Sequence, residues 1–72
     1  MAQQITVVVQ SGVQAPRVHQ GHFTAEAQQA YLDGHELVPP GTRVEFHHVE
    51  LYSDLGDMVH TAVWTRTEAG WR

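Results

Sequence analysis

The chain has 72 residues and contains no cysteine. This absence excludes disulfide frameworks, thiolate zinc sites, iron–sulfur clusters and cysteine nucleophiles, and it makes a reducing, cytoplasmic setting the expectation. Long apolar runs are also missing: no segment approaches the roughly 20 apolar residues of a membrane span, and no basic leader precedes an apolar stretch. The sequence therefore predicts neither export nor membrane insertion.

Basic side chains are few and scattered. The chain has four, all arginines, against eight acidic residues, which gives a formal net charge of −4. Nucleic-acid binding requires a concentrated positive footprint and is therefore disfavoured. A chain this short buries only about 60% of its unfolded surface, which leaves little stability for an enclosed catalytic cavity.

Candidate catalytic groups are equally sparse. Asp33-Gly34-His35-Glu36 is the nearest pairing of carboxylates with a histidine, and it falls at an expected helix end, where capping and solubility explain it. Ser11 and Ser53 lie in turn-like contexts without a nucleophile motif. We therefore predict a protein that is not an enzyme, with no catalytic residue and no cofactor.

The first half of the chain predicts a hairpin followed by a helix. Gln4 to Gln10 is rich in β-branched residues and places Ile5, Val7 and Val9 on one face of a strand. A Gly/Pro loop precedes a second strand over residues 17–23. Thr24 is a typical N-cap, and the helix is predicted from residue 25 to about residue 34. Its predicted apolar face consists of Ala27, Ala30 and Tyr31.

The second half predicts another antiparallel hairpin. Pro39-Pro40-Gly41 ends any helical pattern, and a strand follows over residues 43–52. Val44 and Phe46 share one face of that strand, whereas Val49 and Leu51 share the other. Either a bulge lies at His47-His48, or both faces of the strand are covered, as at an interface. A turn over residues 53–57 leads to a last strand over residues 58–67, in which Val59 and Val63 oppose Ala62 and Trp64.

These elements predict one α+β domain over residues 1–72. Its antiparallel sheet has four strands, one helix covers one face, and the order is β-β-α-β-β. The first strand carries neither lysine nor proline, so it is poorly defended against pairing with another chain. This pattern allows two copies of the chain to form a homodimer through an edge of the sheet.

Six histidines are conspicuous in so short a chain. Adjacent histidines point to opposite faces of a strand, so a metal site would require partners from neighbouring strands. An alternative function is therefore the binding of a metal or small ligand, held between the subunits of a homo-oligomer. The candidate ligand residues for this alternative are His47, His48 and His60.

Aromatic and arginine side chains in the second half favour protein binding, because these residue types dominate protein interfaces. The predicted partner-binding residues are Phe46, His48, Tyr52, Trp64, Arg66 and Trp71. For Trp64 and Trp71, a role in the core is an equal alternative.

Three segments carry a resemblance to a known family. Thr24-Ala25-Glu26-Ala27, Val38-Pro39-Pro40-Gly41 and Arg43-Val44-Glu45-Phe46 resemble the capped helix, turn and valine-rich strand of short phage-encoded inhibitors of bacterial RNA polymerase. That family has arginines on the strand where this chain has Phe46 and His48. The resemblance implies a bacterial or phage accessory factor that regulates transcription by occluding a surface of a larger partner, with bacterial RNA polymerase as the candidate.

Overall fold

The computed structural model describes the backbone of residues 3–52 and 55–72, and the side chains of these residues except 52 and 55–59. The elements in chain order are β1 (Gln3–Gln10), β2 (Arg17–Gln20), α1 (Ala25–Asp33), β3 (Arg43–Tyr52), β4 (Leu55–Thr67) and β5 (Gly70–Trp71). All paired strands are antiparallel, in the order β2-β1-β3-β4-β5. The predicted α+β class is confirmed: the described residues contain one helix and a sheet of five strands instead of the predicted four.

The additional strand is made by the last residues of the chain. Thr67 ends β4, and its hydroxyl donates to the carbonyl oxygen of Gly70 at 2.8 Å and accepts from the amide of Ala69 at 3.2 Å. These bonds close a tight turn that returns the chain along β4, with Arg66 opposite Trp71. The residues after the predicted last strand therefore form a short strand, which backbone hydrogen bonds of 2.8 Å and 2.9 Å between Thr65 and Arg72 also hold to β4.

β1 lies inside the sheet, between β2 and β3. Its predicted role as a poorly defended edge is therefore wrong, since both of its sides are paired. The alternation of Ile5, Val7 and Val9 is present as predicted, but the residues of β1 that are buried are Thr6 and Val8. The apolar triplet lies on the face of the sheet away from the helix.

Helix α1 begins as the sequence predicts. The side chain of Thr24 accepts a hydrogen bond from the amide of Ala27 at 3.2 Å, and Glu26 lies in the first turn, where the helix dipole favours a carboxylate. Its buried residue is Leu32, which the sequence analysis did not select, whereas Ala30 is exposed. The helix is rotated so that Leu32 reaches the core.

The core lies between α1 and one face of the sheet. Among the side chains that the structure describes, four from β1, α1 and β3 are buried in it: Val8, Leu32, Val44 and Phe46. The rings of Phe23 and Tyr31 pack around Phe46, with centroids 5.8 Å and 5.5 Å away. Aromatic rings at such distances supply much of the apolar area that a small core can bury.

The strand registers decide between the two alternatives for β3. Pairing of β1 with β3 is continuous, whereas pairing of β3 with β4 shifts between His48 and Val49, where His60 and Met58 are their partners. The extra residue is thus in β4, and the alternation along β3 continues unbroken. The first alternative, a bulge in β3 itself, is therefore wrong, and Val49 lies on the face opposite the helix, which no element of the described chain covers.

The remaining predictions for this hairpin concern residues near its tip. The hairpin itself is confirmed, but β4 begins at Leu55, so residues 55–57 belong to a strand and not to a turn. Ser53 and Asp54 lie outside the described residues, as does the side chain of Val59.

Helix α1 has nine residues, and no helix in the described part of the chain is long and apolar enough to cross a membrane.

Candidate protein-interaction surface

The two faces of the sheet differ in what covers them. The hydroxyl of Tyr31 donates to Gln10 Oε1 at 3.0 Å, and the indole of Trp64 donates to Gln28 Oε1 at 3.5 Å. Gln10, Trp64 and the buried Phe46 all lie on the same face by register. Helix α1 therefore covers that face, which we call the helix side.

The opposite face, which we call the open face, has no element of the described chain packed on it. Its apolar side chains come from four strands: Ile5, Val7, Val9, Val18, Val49, Leu51 and Val63. Val18 is 61% exposed and Val63 is 42% exposed, whereas the others are half-buried by their neighbours along the sheet. A sheet face this apolar is ordinarily buried against a second layer.

The register arranges these residues in rows across the sheet. Val18, Val7, His47 and Thr61 form one row, so Val7 and His47 lie near the centre of the open face. Val18 and Val63 lie towards its opposite margins, on β2 and β4 respectively. A molecule that covers the whole face must contact both margins.

The charged groups of the open face neutralise one another. Glu45 lies between Arg43 and His47 on β3, with Oε2 3.6 Å from Arg43 Nε and Oε1 3.2 Å from His47 Nε2. His47 Nδ1 is also 3.2 Å from the hydroxyl of Thr61. The carboxylate is thus satisfied within the chain, and it leaves the surrounding valines as the dominant feature of the surface.

The residues predicted to bind a partner lie mostly on the helix side. Phe46 is 2% exposed and belongs to the core, so its predicted place on a binding surface is incorrect for this fold. The other members of the set with described side chains are partly buried: His48, Trp64, Arg66 and Trp71. Trp64 and Trp71 pack against the core cluster. The side chain of Tyr52 lies outside the described residues.

The hydrogen bonds of Trp71 and Arg66 are structural. The indole of Trp71 donates to the carbonyl oxygen of Leu32 at 3.1 Å, which ties β5 to the helix. The guanidinium of Arg66 donates to the carbonyl oxygens of Glu36 at 3.1 Å and Thr67 at 2.8 Å. The sequence left a role in the core as an equal alternative for Trp71. This alternative fits the structure, because the ring of Trp71 packs against the core cluster.

Four of the six histidines lie on the helix side, near the edge of the core. His19, Thr6, His48 and His60 form one row across the sheet, and the ring of His22 lies 4.1 Å from that of His48. His48 and His60 belong to the predicted metal-binding trio, and the register pairs these two residues.

His47 separates from these residues because successive side chains of a strand point to opposite faces. The trio His47, His48 and His60 therefore does not converge on one point. Among the described residues, no group of three or more histidine, aspartate or glutamate side chains is placed to hold a metal ion.

Two nitrogens in the histidine row are buried without a hydrogen-bond partner, His19 Nε2 and His48 Nε2. A buried polar atom that lacks a partner costs about 1–3 kcal/mol. We expect His48→Phe to raise the free energy of unfolding by about 1 kcal/mol, because the ring contact with His22 is kept and the unsatisfied nitrogen is removed. Urea denaturation measures this change.

The matched control is His60→Phe, which makes the same substitution at an exposed position of the same row. Its expected effect is within about 0.5 kcal/mol. A His48→Phe protein that is less stable than the His60→Phe protein would contradict the assignment and show that His48 Nε2 has a partner in solution.

The Asp33–Glu36 segment has local structural roles. Asp33 Oδ1 accepts a hydrogen bond from Gln29 Nε2 at 2.8 Å, within the helix. The ring of His35 stacks on Tyr31 at 4.2 Å, and its Nδ1 is 2.7 Å from the carbonyl oxygen of that residue. These contacts agree with the expected roles in ending the helix.

A shallow open groove lies beside the start of β3. It is lined by Gln10, Ser11, Gly12, Val13, Val38, Pro39, Pro40, Gly41 and Thr42. None of these side chains is acidic, basic or imidazole, so the groove holds no group suited to proton transfer.

Comparison of the chain with protein-family models, with curated proteins and with solved structures finds no match.

Proposed function

We propose that the chain is a non-enzymatic protein-binding module and that the open face is its binding surface. The observation that carries this proposal is the contrast between the two faces of one sheet. The helix side buries its apolar residues under α1, whereas the open face presents valines from β1, β2 and β4 with no covering layer in the described chain. Exposed apolar patches of this kind typically mark interaction sites.

The mechanism we propose is occlusion. A flat, apolar and locally neutral sheet face can cover an apolar patch of a larger protein and exclude other ligands from it. Shape and burial supply the affinity, and the paired charges of Arg43 and Glu45 contribute orientation. The resemblance to phage-encoded inhibitors makes bacterial RNA polymerase the first larger partner to test.

The test is a pull-down from bacterial lysate with three versions of the purified chain. Wild type and Val13→Asp should capture a stoichiometric partner, and Val63→Asp should capture at least tenfold less, because a desolvated carboxylate costs more than the about 1.4 kcal/mol that a tenfold change represents. Val63 and Val13 are 42% and 44% exposed, but Val13 is in the loop after β1 and not in a strand of the sheet, and it lines the groove beside the start of β3.

Near-UV circular dichroism of the two tryptophans verifies that each variant is folded. Equal capture by the folded Val63→Asp protein and wild type would refute the open face as the binding surface. Capture by no version, wild type included, would refute the binding of a larger partner.

A further inference from the structure

We infer that the protein that covers the open face of the purified chain is a second copy of the same chain. This inference rests on the proposed function, in which the open face is the binding surface. The two sheets pack face to face across a two-fold axis, with both helices on the outside. The interface is isologous: the same patch of each copy contacts the other.

The accessible surface area of the chain is larger than that of a compact monomer, which supports the proposal that a second copy covers the open face. The accessible surface is 5007 Å², whereas a compact monomer of this 8.1 kDa mass is expected to expose roughly 4,500 Å². The molecule is a slab, with extents of 42 × 25 × 15 Å, and no element of the described chain covers one of its broad sides.

The open face is also large enough for a stable dimer. A stable interface requires about 800 Å² from each partner, and the molecule's two longer extents, 42 Å and 25 Å, outline a rectangle of this order of size. Sheets packed face to face lie about 10 Å apart, with their strands within about 30° of each other. In that arrangement the valines of each copy fill the spaces between the valines of the other.

The distribution of charge favours a second copy over a partner of opposite charge. The chain carries a formal charge of −4, so two copies repel each other through most of their surface. On the open face, however, Glu45 is the only carboxylate among the described side chains, and it lies between Arg43 and His47. The other described acidic residues lie on the helix side, in loops or in turns: Glu26, Asp33, Glu36, Glu50 and Glu68.

Two negatively charged copies can therefore meet at this face with little electrostatic cost. A basic partner would instead be drawn to the helix side, where the carboxylates lie. A larger apolar partner would compete with the second copy for the same face.

The experiment measures mass by light scattering, over a wide range of concentrations, for wild type and three variants. Wild type should have twice the 8.1 kDa chain mass. Val18→Asp and Val63→Asp should each halve the measured mass, because each places a carboxylate inside the proposed interface. Val13→Asp, outside the open face, should keep the mass of wild type.

The positions of the two variants distinguish a face from an edge. β2 borders the sheet on one side, and β4 borders it on the other wherever β5 does not pair with it. A dimer through the β2 edge would respond only to Val18→Asp, and a dimer through the β4 edge only to Val63→Asp. Either of these results would overturn a face-to-face dimer.

A monomeric wild type at all concentrations would also overturn it. That result would leave the proposed function standing if the pull-down still captured a larger partner through the open face, so the two failures are distinct. Near-UV circular dichroism confirms that a variant of halved mass is a folded monomer.

Discussion

Replacing Phe46 with alanine is expected to lower the free energy of unfolding by about 3–5 kcal/mol. The ring is 2% exposed and packs with Val8, Leu32 and Val44. Its removal leaves a cavity that the covering helix closes only in part. Small domains are stable by about 5–15 kcal/mol in total, so one substitution removes a large part of the stability of this chain.

Urea denaturation followed by far-UV circular dichroism measures the loss. Phe46→Leu is the matched control, and it should cost less than about 1.5 kcal/mol, since it keeps most of the buried volume. If Phe46 were instead a partner-binding residue, as its residue type predicted, the substitution would abolish binding and leave the stability unchanged. A Phe46→Ala protein that has the urea midpoint of wild type and captures no partner would show that Phe46 is a contact residue.

Replacing Thr6 with valine is expected to destabilise the fold by about 2–3 kcal/mol, although the two side chains have nearly the same shape. Thr6 is 1% exposed. Its hydroxyl donates to the carbonyl oxygen of Gly21 at 2.8 Å and accepts from the amide of Phe23 at 3.0 Å. Both backbone groups lie in the segment that leads from β2 to the helix, and the substitution leaves them without this partner.

This segment is where the chain leaves the sheet. Gly21 has a φ of 81°, a conformation that favours glycine, and it ends β2 before the expected residue 23. The Thr6 hydroxyl holds the turn against β1, so Phe23 can pack against Phe46. Thr6→Val should therefore also loosen the ring contact between these two residues, which near-UV circular dichroism and urea denaturation report together.

Thr65→Val is the control for this prediction. Thr65 is in β4 on the open face and is only partly buried, so its replacement should change the free energy of unfolding by no more than about 0.5 kcal/mol. Equal stability of the Thr6→Val and Thr65→Val proteins would show that water or other groups satisfy the Gly21 and Phe23 backbone after the hydroxyl is lost.

The contrast between Thr6 and its neighbours explains the main error of sequence reasoning about β1. Hydrophobicity favours Ile5, Val7 and Val9 for the core, but the covered face of this strand carries Thr6 and Val8. Alternation separates the faces of a strand, yet it does not reveal which face the helix will cover. That choice depends on the direction in which the chain leaves β2, and the Thr6 hydroxyl takes part in setting it.

The candidate surface was accessible to sequence reasoning only in part. The phase change between Val44, Phe46 and Val49 predicted either a bulge at His47-His48 or a strand covered on both faces. The register places the extra residue in β4 and Val49 on the open face. The aromatic residues, by contrast, predicted a binding surface whose described members lie mostly on the helix side. Composition cannot separate a tryptophan that closes a core, such as Trp71, from one that awaits a partner, because both are rich in apolar area.

Local sequence therefore determined the helix with its Thr24 cap, the break at Pro39-Pro40-Gly41, both antiparallel hairpins and the α+β class, because capping, proline geometry and β-branched alternation act over a few residues. Tertiary structure decided which face of the sheet is covered, that Phe46 is interior, that His47 is separated from His48 and His60, and that residues 70–71 form a fifth strand. These features depend on contacts between residues far apart in the chain, whose relative positions are set only when the helix packs on the sheet.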